Sequence, residues 1–386
     1  VIVLPGTERQ AHARAVLARA VGDADAPASP SHAYLFQGPP GSGKRTVARA
    51  LAARLLAEPA AGPGVGRPAD PSAVAAVAGR IERGAHPDLT WVRPAGGLMR
   101  REDVDEAVVR AVVRRPFEST RRVFVLERAH TMNDTAANRL LKTLEEPPAY
   151  VVLILLTDRP GELLDTIRSR CQAVRFDPPP EAELADAIVA RSGVGRDVAT
   201  ACARLALGDA TLARSLADGD GALLRTAAES LARHALAGAG GAPPWRVMAD
   251  AAAARGKAAA AAYEREVAET AEQLEERDRK RLERDAKEDA KRVLRRERTV
   301  ALDVGLRLCG LWFRDVAAVA LGATDAVHHA DRLDALREDA GRTDPHRALR
   351  CVDLVDGVRR SFAVNATEDL QLDALTVRLQ ATLAGR

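Results

Sequence analysis

In the first half of the chain, apolar positions gather into short blocks separated by stretches with helical spacing. Ala33-Tyr34-Leu35-Phe36, Leu89 to Val92, Val123 to Leu126 and Val151 to Leu156 are brief apolar runs of the kind that central strands of a parallel sheet, covered on both faces, display. Between them, Ala11 to Val21 has a helical period, and Thr46 to Ala57 places Val47, Ala50, Leu51 and Leu55 on one face. A stretch rich in Gly, Pro and Ala, roughly Pro59 to Pro71, interrupts the pattern. The alternation predicts a three-layer α/β domain with a parallel sheet reaching about Phe176, after which Pro178-Pro179-Pro180 breaks the chain.

Beyond the prolines the pattern is helical throughout. Glu181 to Ser192 and Asp197 to Leu207 are amphipathic, and Gly208 and Asp209 open a further helix. Ala251 to Ala262 is mostly alanine, and Glu264 to Arg298 is dense in charge. Val267, Ala271, Leu274, Leu282, Ala286, Ala290, Val293 and Leu294 keep a thin apolar stripe through it, as a long solvated helix or helical hairpin would. A nucleic-acid arm is the weaker reading, because acids and bases are interspersed. Trp312, Phe313, Leu354, Val355, Leu370, Leu372, Leu375 and Leu379 supply a last helical core.

Composition narrows this picture. A chain of 386 residues with 47% hydrophobic content predicts two or three domains that fold without covalent staples. Lys+Arg 57 against Asp+Glu 54 leaves +3, which gives no global field for tight, autonomous nucleic-acid binding. Cys171, Cys202, Cys309 and Cys351 are far apart, so a short-spaced structural zinc site is not expected and reduced thiols are. Arg and Glu interrupt the apolar pattern of Val1 to Ala20, and no run reaches the ~20 apolar residues of a membrane span. The expectation is a soluble, cytoplasmic protein without a leader or a membrane partner.

Gly38-Pro39-Pro40-Gly41-Ser42-Gly43-Lys44 has G-x-x-x-x-G-K spacing between a predicted strand and a predicted helix. Backbone N–H groups of such a loop, with the helix N-terminus, wrap phosphate, and the lysine neutralises it. The next position should offer a hydroxyl to Mg²⁺ but holds Arg45, and Thr46 comes one residue late, about 100° around the helix. After the strand Val123 to Leu126, hydrolysis calls for an Asp that holds the metal and a Glu that orients water. Here Glu127 and Arg128 stand instead, and the arginine has the wrong charge to activate water. ATP or ADP bound without hydrolysis is therefore the expected state of Gly38 to Thr46.

Three stretches together carry a resemblance. Gly38 to Lys44, Asn138-Arg139-Leu140-Leu141-Lys142-Thr143-Leu144-Glu145-Glu146-Pro147-Pro148 and Thr166-Ile167-Arg168-Ser169-Arg170-Cys171 are similar to the bacterial AAA+ clamp-loader family of DNA polymerase III. The likeness covers roughly residues 1 to 220 and continues weakly to the C-terminus near Asn365. It implies an AAA+ domain at 1–177, a helical lid at 178–222 and a helical collar at 223–386 that includes the charged helix 264–298. The losses at Arg45 and Arg128, with Thr211 where a second-sensor arginine would fall, imply a non-hydrolysing member rather than a gamma/tau motor. Ser72, Ala75 and Ala78 fall where zinc-binding cysteines of the family would stand ahead of His86-Pro87-Asp88, so no zinc is implied.

The same resemblance gives Arg170 a role in trans, as the arginine reaching ATP held by a neighbouring subunit. It implies gamma/tau and delta partners in a five-membered ring, and a sliding clamp loaded on primed DNA by the whole complex. Arg114, Arg115, Arg139 and Lys142 are loose candidates for phosphate contacts, and solvated surface is an equal reading for each. The alternatives are an active motor-type clamp-loader ATPase, a small-molecule P-loop kinase, and a structural AAA+ protein of DNA repair.

Overall fold

The computed structural model describes residues 3–22, 28–58, 70–94, 98–238, 244–271, 276–362 and 367–385. The chain divides into two compact units, Val1–Pro178 and Pro179–Arg386.

In the first unit, α1 (Ala11–Val21) leads to β1 (Ala33–Gln37), and α2 (Lys44–Leu56) and α3 (Pro71–Glu82) precede β2 (Leu89–Val92). The short α4 (Arg101–Val104), β3 (Arg122–Leu126), α5 (Asp134–Glu145), β4 (Val151–Thr157), α6 (Asp165–Arg168) and β5 (Gln172–Arg175) follow. All strand pairs are parallel, in the order β2-β3-β4-β1-β5. Strand alternation sorts the side chains into two layers. Tyr34, Phe36, Val123, Val125, Ile154 and Val174 pack with α1 and α2, while Leu35, Phe124, Leu126, Leu153 and Leu155 pack with α4 and α5. β4 is buried at every residue, which is why its sequence is an unbroken apolar run.

β5 and α3 are among the elements that had no clear signal. β5 reads Gln-Ala-Val-Arg and buries only Val174, as an edge strand needs little apolar surface. α3 starts at Pro71, where the interrupting loop was expected to end, and the side chain of Asp70 caps it by accepting from the Ser72 N–H at 3.1 Å. Most of that expected loop, residues 59–69, lies outside the described residues.

The second unit is helical: α7 (Glu181–Ser192), α8 (Arg196–Leu205), α9 (Ala210–Ala217), α10 (Gly219–Ala237), α11 (Trp245–Ala271), α12 (Glu276–Ala320), α13 (Leu333–Ala340), α14 (Pro345–Phe362) and α15 (Glu368–Leu383). One continuous apolar core runs from Leu184 on α7 to Leu383 on α15. The charge-dense stretch belongs to two long helices packed antiparallel. Tyr263 donates to Asp289, and a Cβ at Gly256 would stand 2.7 Å from the Leu294 carbonyl oxygen, so glycine lets α11 and α12 approach closely. Ala286, Ala290 and Val293 are the buried part of the stripe, whereas Leu274 and Asn365 lie outside the described residues. Trp312, Phe313, Val355, Leu372, Leu375 and Leu379 are buried as expected of a core, but Leu370 is 66% exposed. Leu370 and Leu372 are two residues apart on one helix, about 200° around its axis, so they cannot share a face.

Candidate functional site

The glycine loop leaves the C-terminal end of β1, where the strand order changes direction, which is the usual ligand crevice of an open parallel sheet. Gly43 caps α2 in the left-handed conformation with φ 93°, a turn that glycine adopts without strain. Gly38 is required for another reason: a Cβ there would overlap the Phe176 carbonyl oxygen and lie 3.0 Å from the Phe176 Cβ. The Gly38 N–H donates to Thr157 O at 3.2 Å, so β4 also anchors the loop. Lys44 Nζ donates to the carbonyls of Gly38 and of Pro39 (2.7 Å) and lies 3.4 Å from Ser42 Oγ. Pro40 and Gly41 complete the turn, with Gly41 at φ 75°.

Sequence spacing gave no hint of the N-terminal contribution. Gln10, buried just before α1, donates from Nε2 to Ser42 O (3.3 Å) and Asp177 O (3.0 Å), while its Oε1 accepts from the Asp177 N–H at 2.8 Å. This one amide ties the phosphate loop to the end of β5. A side chain at Gly6 would meet Val47 Cγ2 at 3.1 Å and Thr46 Cγ2 at 3.2 Å, so the segment before α1 lies on the first turn of α2 and the Thr46 methyl faces it.

The two altered motif positions meet. Arg45 Nη2 donates to Glu127 Oε2, and Glu127 Oε1 accepts from Trp91 Nε1 (2.7 Å) and Arg93 Nε (3.2 Å). The Glu127 side chain is 3% exposed against 62% for Arg45, so a buried carboxylate is compensated by a guanidinium that reaches in from the surface. Arg49 stacks over the Trp91 ring at 5.3 Å from its centroid. Arg128 follows in the left-handed region at φ 53°, uncommon for a residue with a side chain, and its carbonyl accepts from the Thr131 N–H at 2.8 Å and hydroxyl at 2.8 Å.

A hydrolytic site of this type needs a hydroxyl and an aspartate on Mg²⁺, and the residues present do not fit that ion. Glu127 has both oxygens engaged by cationic or indole N–H groups, and Arg45 is a donor only. The loop does fit phosphate, through its backbone turn and Lys44. Among the described residues no group of three or more His, Cys, Asp or Glu is placed to hold a metal ion.

Around the site, burial pushes the pKa of His130 down against the opposing pull of the Asp158 carboxylate 3.2 Å away, which favours the neutral ring. Its Nδ1 lies 3.1 Å from Thr157 Oγ1, at the strand end that holds Gly38. Asp88 of the His86-Pro87-Asp88 string is buried, which alone would raise its pKa. The N–H groups of Phe117 (2.6 Å), Glu118 (2.9 Å) and Ser119 (3.0 Å) outweigh burial and hold it below the ordinary value.

Arg170 is elsewhere. It follows α6, with Nη2 2.8 Å from Glu145 Oε1 and Nη1 donating to Thr166 O at 3.0 Å. β5 begins level with Tyr34, so Gly38 lies four strand residues further on, roughly 13 Å at ~3.3 Å per residue. Arg170 thus sits toward the opposite end of its own sheet. Thr211, on the first turn of α9, donates its N–H to Asp209 at 2.9 Å. Arg139 pairs with Asp105 at 2.6 Å, and Arg114, Arg115 and Lys142 are exposed.

Residues 21–180 match the family model described as DNA polymerase III, delta subunit. The same part of the chain is similar to DNA polymerase III subunits named delta-prime. This region is 37% identical over 148 residues to the delta-prime subunit of Bacillus subtilis, covering 38% of this chain and 43% of that protein. It is 42% identical over 144 residues to the delta-prime subunit of Pseudomonas aeruginosa, covering 36% of this chain and 42% of that protein. A tau subunit of Bacillus subtilis is 37% identical over 150 residues, 38% of this chain and 24% of the relative. The chain thus spans less than half the length of these two delta-prime relatives. The parallel sheet and glycine loop are those of a P-loop α/β domain, and no described helix is long and apolar enough to cross a membrane.

Proposed function

We propose that this chain is a non-hydrolysing, delta-prime-type clamp-loader subunit that supplies Arg170 to ATP bound by a neighbouring motor subunit. One observation carries the reading: the Arg45–Glu127 pair occupies the positions that a motor uses for metal, while Arg170 is partly exposed at the other end of the sheet. A guanidinium so far from its own phosphate loop can act on a phosphate only across a subunit boundary. Offered in trans, it stabilises charge developing on the transferred phosphoryl group. The glycine loop holds ATP or ADP without turning it over. The partners are gamma/tau and delta subunits in a ring that places a sliding clamp on primed DNA, in the cytoplasm.

Reconstitution tests this. The purified chain should show no ATP turnover, and it should assemble with gamma/tau and delta subunits into a complex that loads a clamp. Turnover by the isolated chain that Lys44→Ala abolishes would establish the motor-type alternative instead.

A further inference from the structure

The residues at the altered positions do more than fail to bind magnesium. We propose that Arg45 is the built-in cation of this site, so that a nucleoside di- or triphosphate is held without any divalent metal. The inference rests on the nucleotide-site reading above and adds what kind of ligand the site accepts, namely the metal-free anion.

The geometry around Glu127 carries it. In a metal-dependent loop, the acid after β3 and the hydroxyl after the lysine approach the same ion from two elements. Here those two positions are joined directly, Arg45 from the first turn of α2 and Glu127 from the end of β3, with 82 residues between them in sequence. A guanidinium therefore stands on the line between the two positions that would hold the ion. Trp91 and Arg93, both from the β2 side, take the remaining oxygen of Glu127 and fix the carboxylate's orientation. Mg²⁺ demands about six oxygen ligands near 2.0–2.1 Å and sheds water reluctantly. It would have to displace a guanidinium from a carboxylate 3% exposed and would gain one oxygen. Glu127 has no second acid beside it to share the ion, since Arg128 follows it.

Charge complementarity supports the same conclusion. Arg45 and Arg93 both donate to the single carboxylate of Glu127, so more than one cation faces it, and Lys44 adds its own charge within the phosphate loop. A motor site reaches a similar positive charge only after it binds its metal. In this site the positive charge is covalently attached, and it brings no polarised water and no Lewis acid. Binding and hydrolysis are thereby separated.

The test is titration calorimetry of the full chain with ADP and with ATP, in magnesium and in EDTA. The wild type should bind with affinities that differ by less than about twofold between the two conditions. Arg45→Lys, which keeps a cation, should behave likewise. Arg45→Thr, which leaves Glu127 with Trp91 and Arg93 as partners, should bind at least about tenfold more tightly in magnesium than in EDTA. Tenfold tighter binding by the wild type in magnesium would overturn the inference. So would an Arg45→Thr variant that stays indifferent to magnesium. Absence of nucleotide binding by the wild type in both conditions would overturn it too, and would leave the trans role of Arg170 to stand or fall on ring assembly and loader ATPase.

Discussion

Glu145 and Arg170 form an ion pair at 2.8 Å, joining the Leu-Glu-Glu-Pro-Pro string at the end of α5 to the Ser-Arg-Cys string before β5. Both side chains are well exposed, 49% and 36%, so water screens the pair and its worth is about 0–1 kcal/mol. That magnitude matters for function. An arginine held this weakly keeps a defined direction in the free subunit, and in the proposed trans role it would exchange Glu145 for a phosphate at small cost.

Removing the partner should therefore be mild. Glu145→Gln is expected to change the ATPase of the reconstituted loader by less than about fivefold, the equivalent of 1 kcal/mol, in either direction. The melting temperature of the isolated chain should hardly move. A loss as large as that of Arg170→Ala would give Glu145 a direct part in the chemistry.

Gly38→Ala tests the phosphate loop mechanically. The new methyl would overlap the Phe176 carbonyl, and Phe176 is fixed by its own N–H on Gln37 O at 2.9 Å and by packing on Phe36. Overpacking of this kind costs typically 1–3 kcal/mol. Thermal denaturation should show a clear fall in Tm and nucleotide affinity should drop with it, whereas Gly161→Ala, with open space around its Cβ position, should be near neutral.

Asp88 links α/β packing to pH. Its folded pKa lies below the unfolded value because three N–H groups overcome burial, so its contribution is complete above the ordinary pKa of about 3.9. It is lost as pH falls below that value through the folded one. His130 adds an earlier step: its depressed pKa means that the unfolded chain binds the proton first, so stability declines as pH falls below about 6.5. Asp88→Asn, which leaves N–H groups unpaired, should cost roughly 1–3 kcal/mol at neutral pH and flatten the acid limb of a denaturation profile. An unchanged acid limb would show that these hydrogen bonds do not set it.

Much of this was readable ahead of the structure, for physical reasons that also explain what was not. Strands buried on both faces, such as Val151–Thr157, must be apolar throughout and so announce themselves. The edge strand Gln172–Arg175 needs one buried residue, and its pattern is that of a loop. Arg45 and Glu127 were each legible as departures from a motif, one at the metal position and one at the acid position. Their pairing was not, because only the placement of β1 and β3 in one parallel sheet brings α2 to the end of β3. Gln10, Trp91 and Arg93 carry no motif at all. The long charged helices were foreseen as exposed, but glycines at 256 and 305, where a Cβ at Gly305 would lie 2.8 Å from Met248 Cγ, are packing devices that spacing alone does not reveal.

On the proposed function the two arginines divide the work of the chain: Arg45 would silence the site in cis, and Arg170 would act in trans. The most direct measurement is the DNA-stimulated ATPase of a loader reconstituted from motor subunits, delta and this chain, with Arg170→Ala compared against Lys44→Ala. Arg170→Ala should leave assembly intact and lower turnover by roughly an order of magnitude or more, while Lys44→Ala should leave turnover near wild type. Normal turnover with Arg170→Ala, or its loss with Lys44→Ala, would contradict the division of labour.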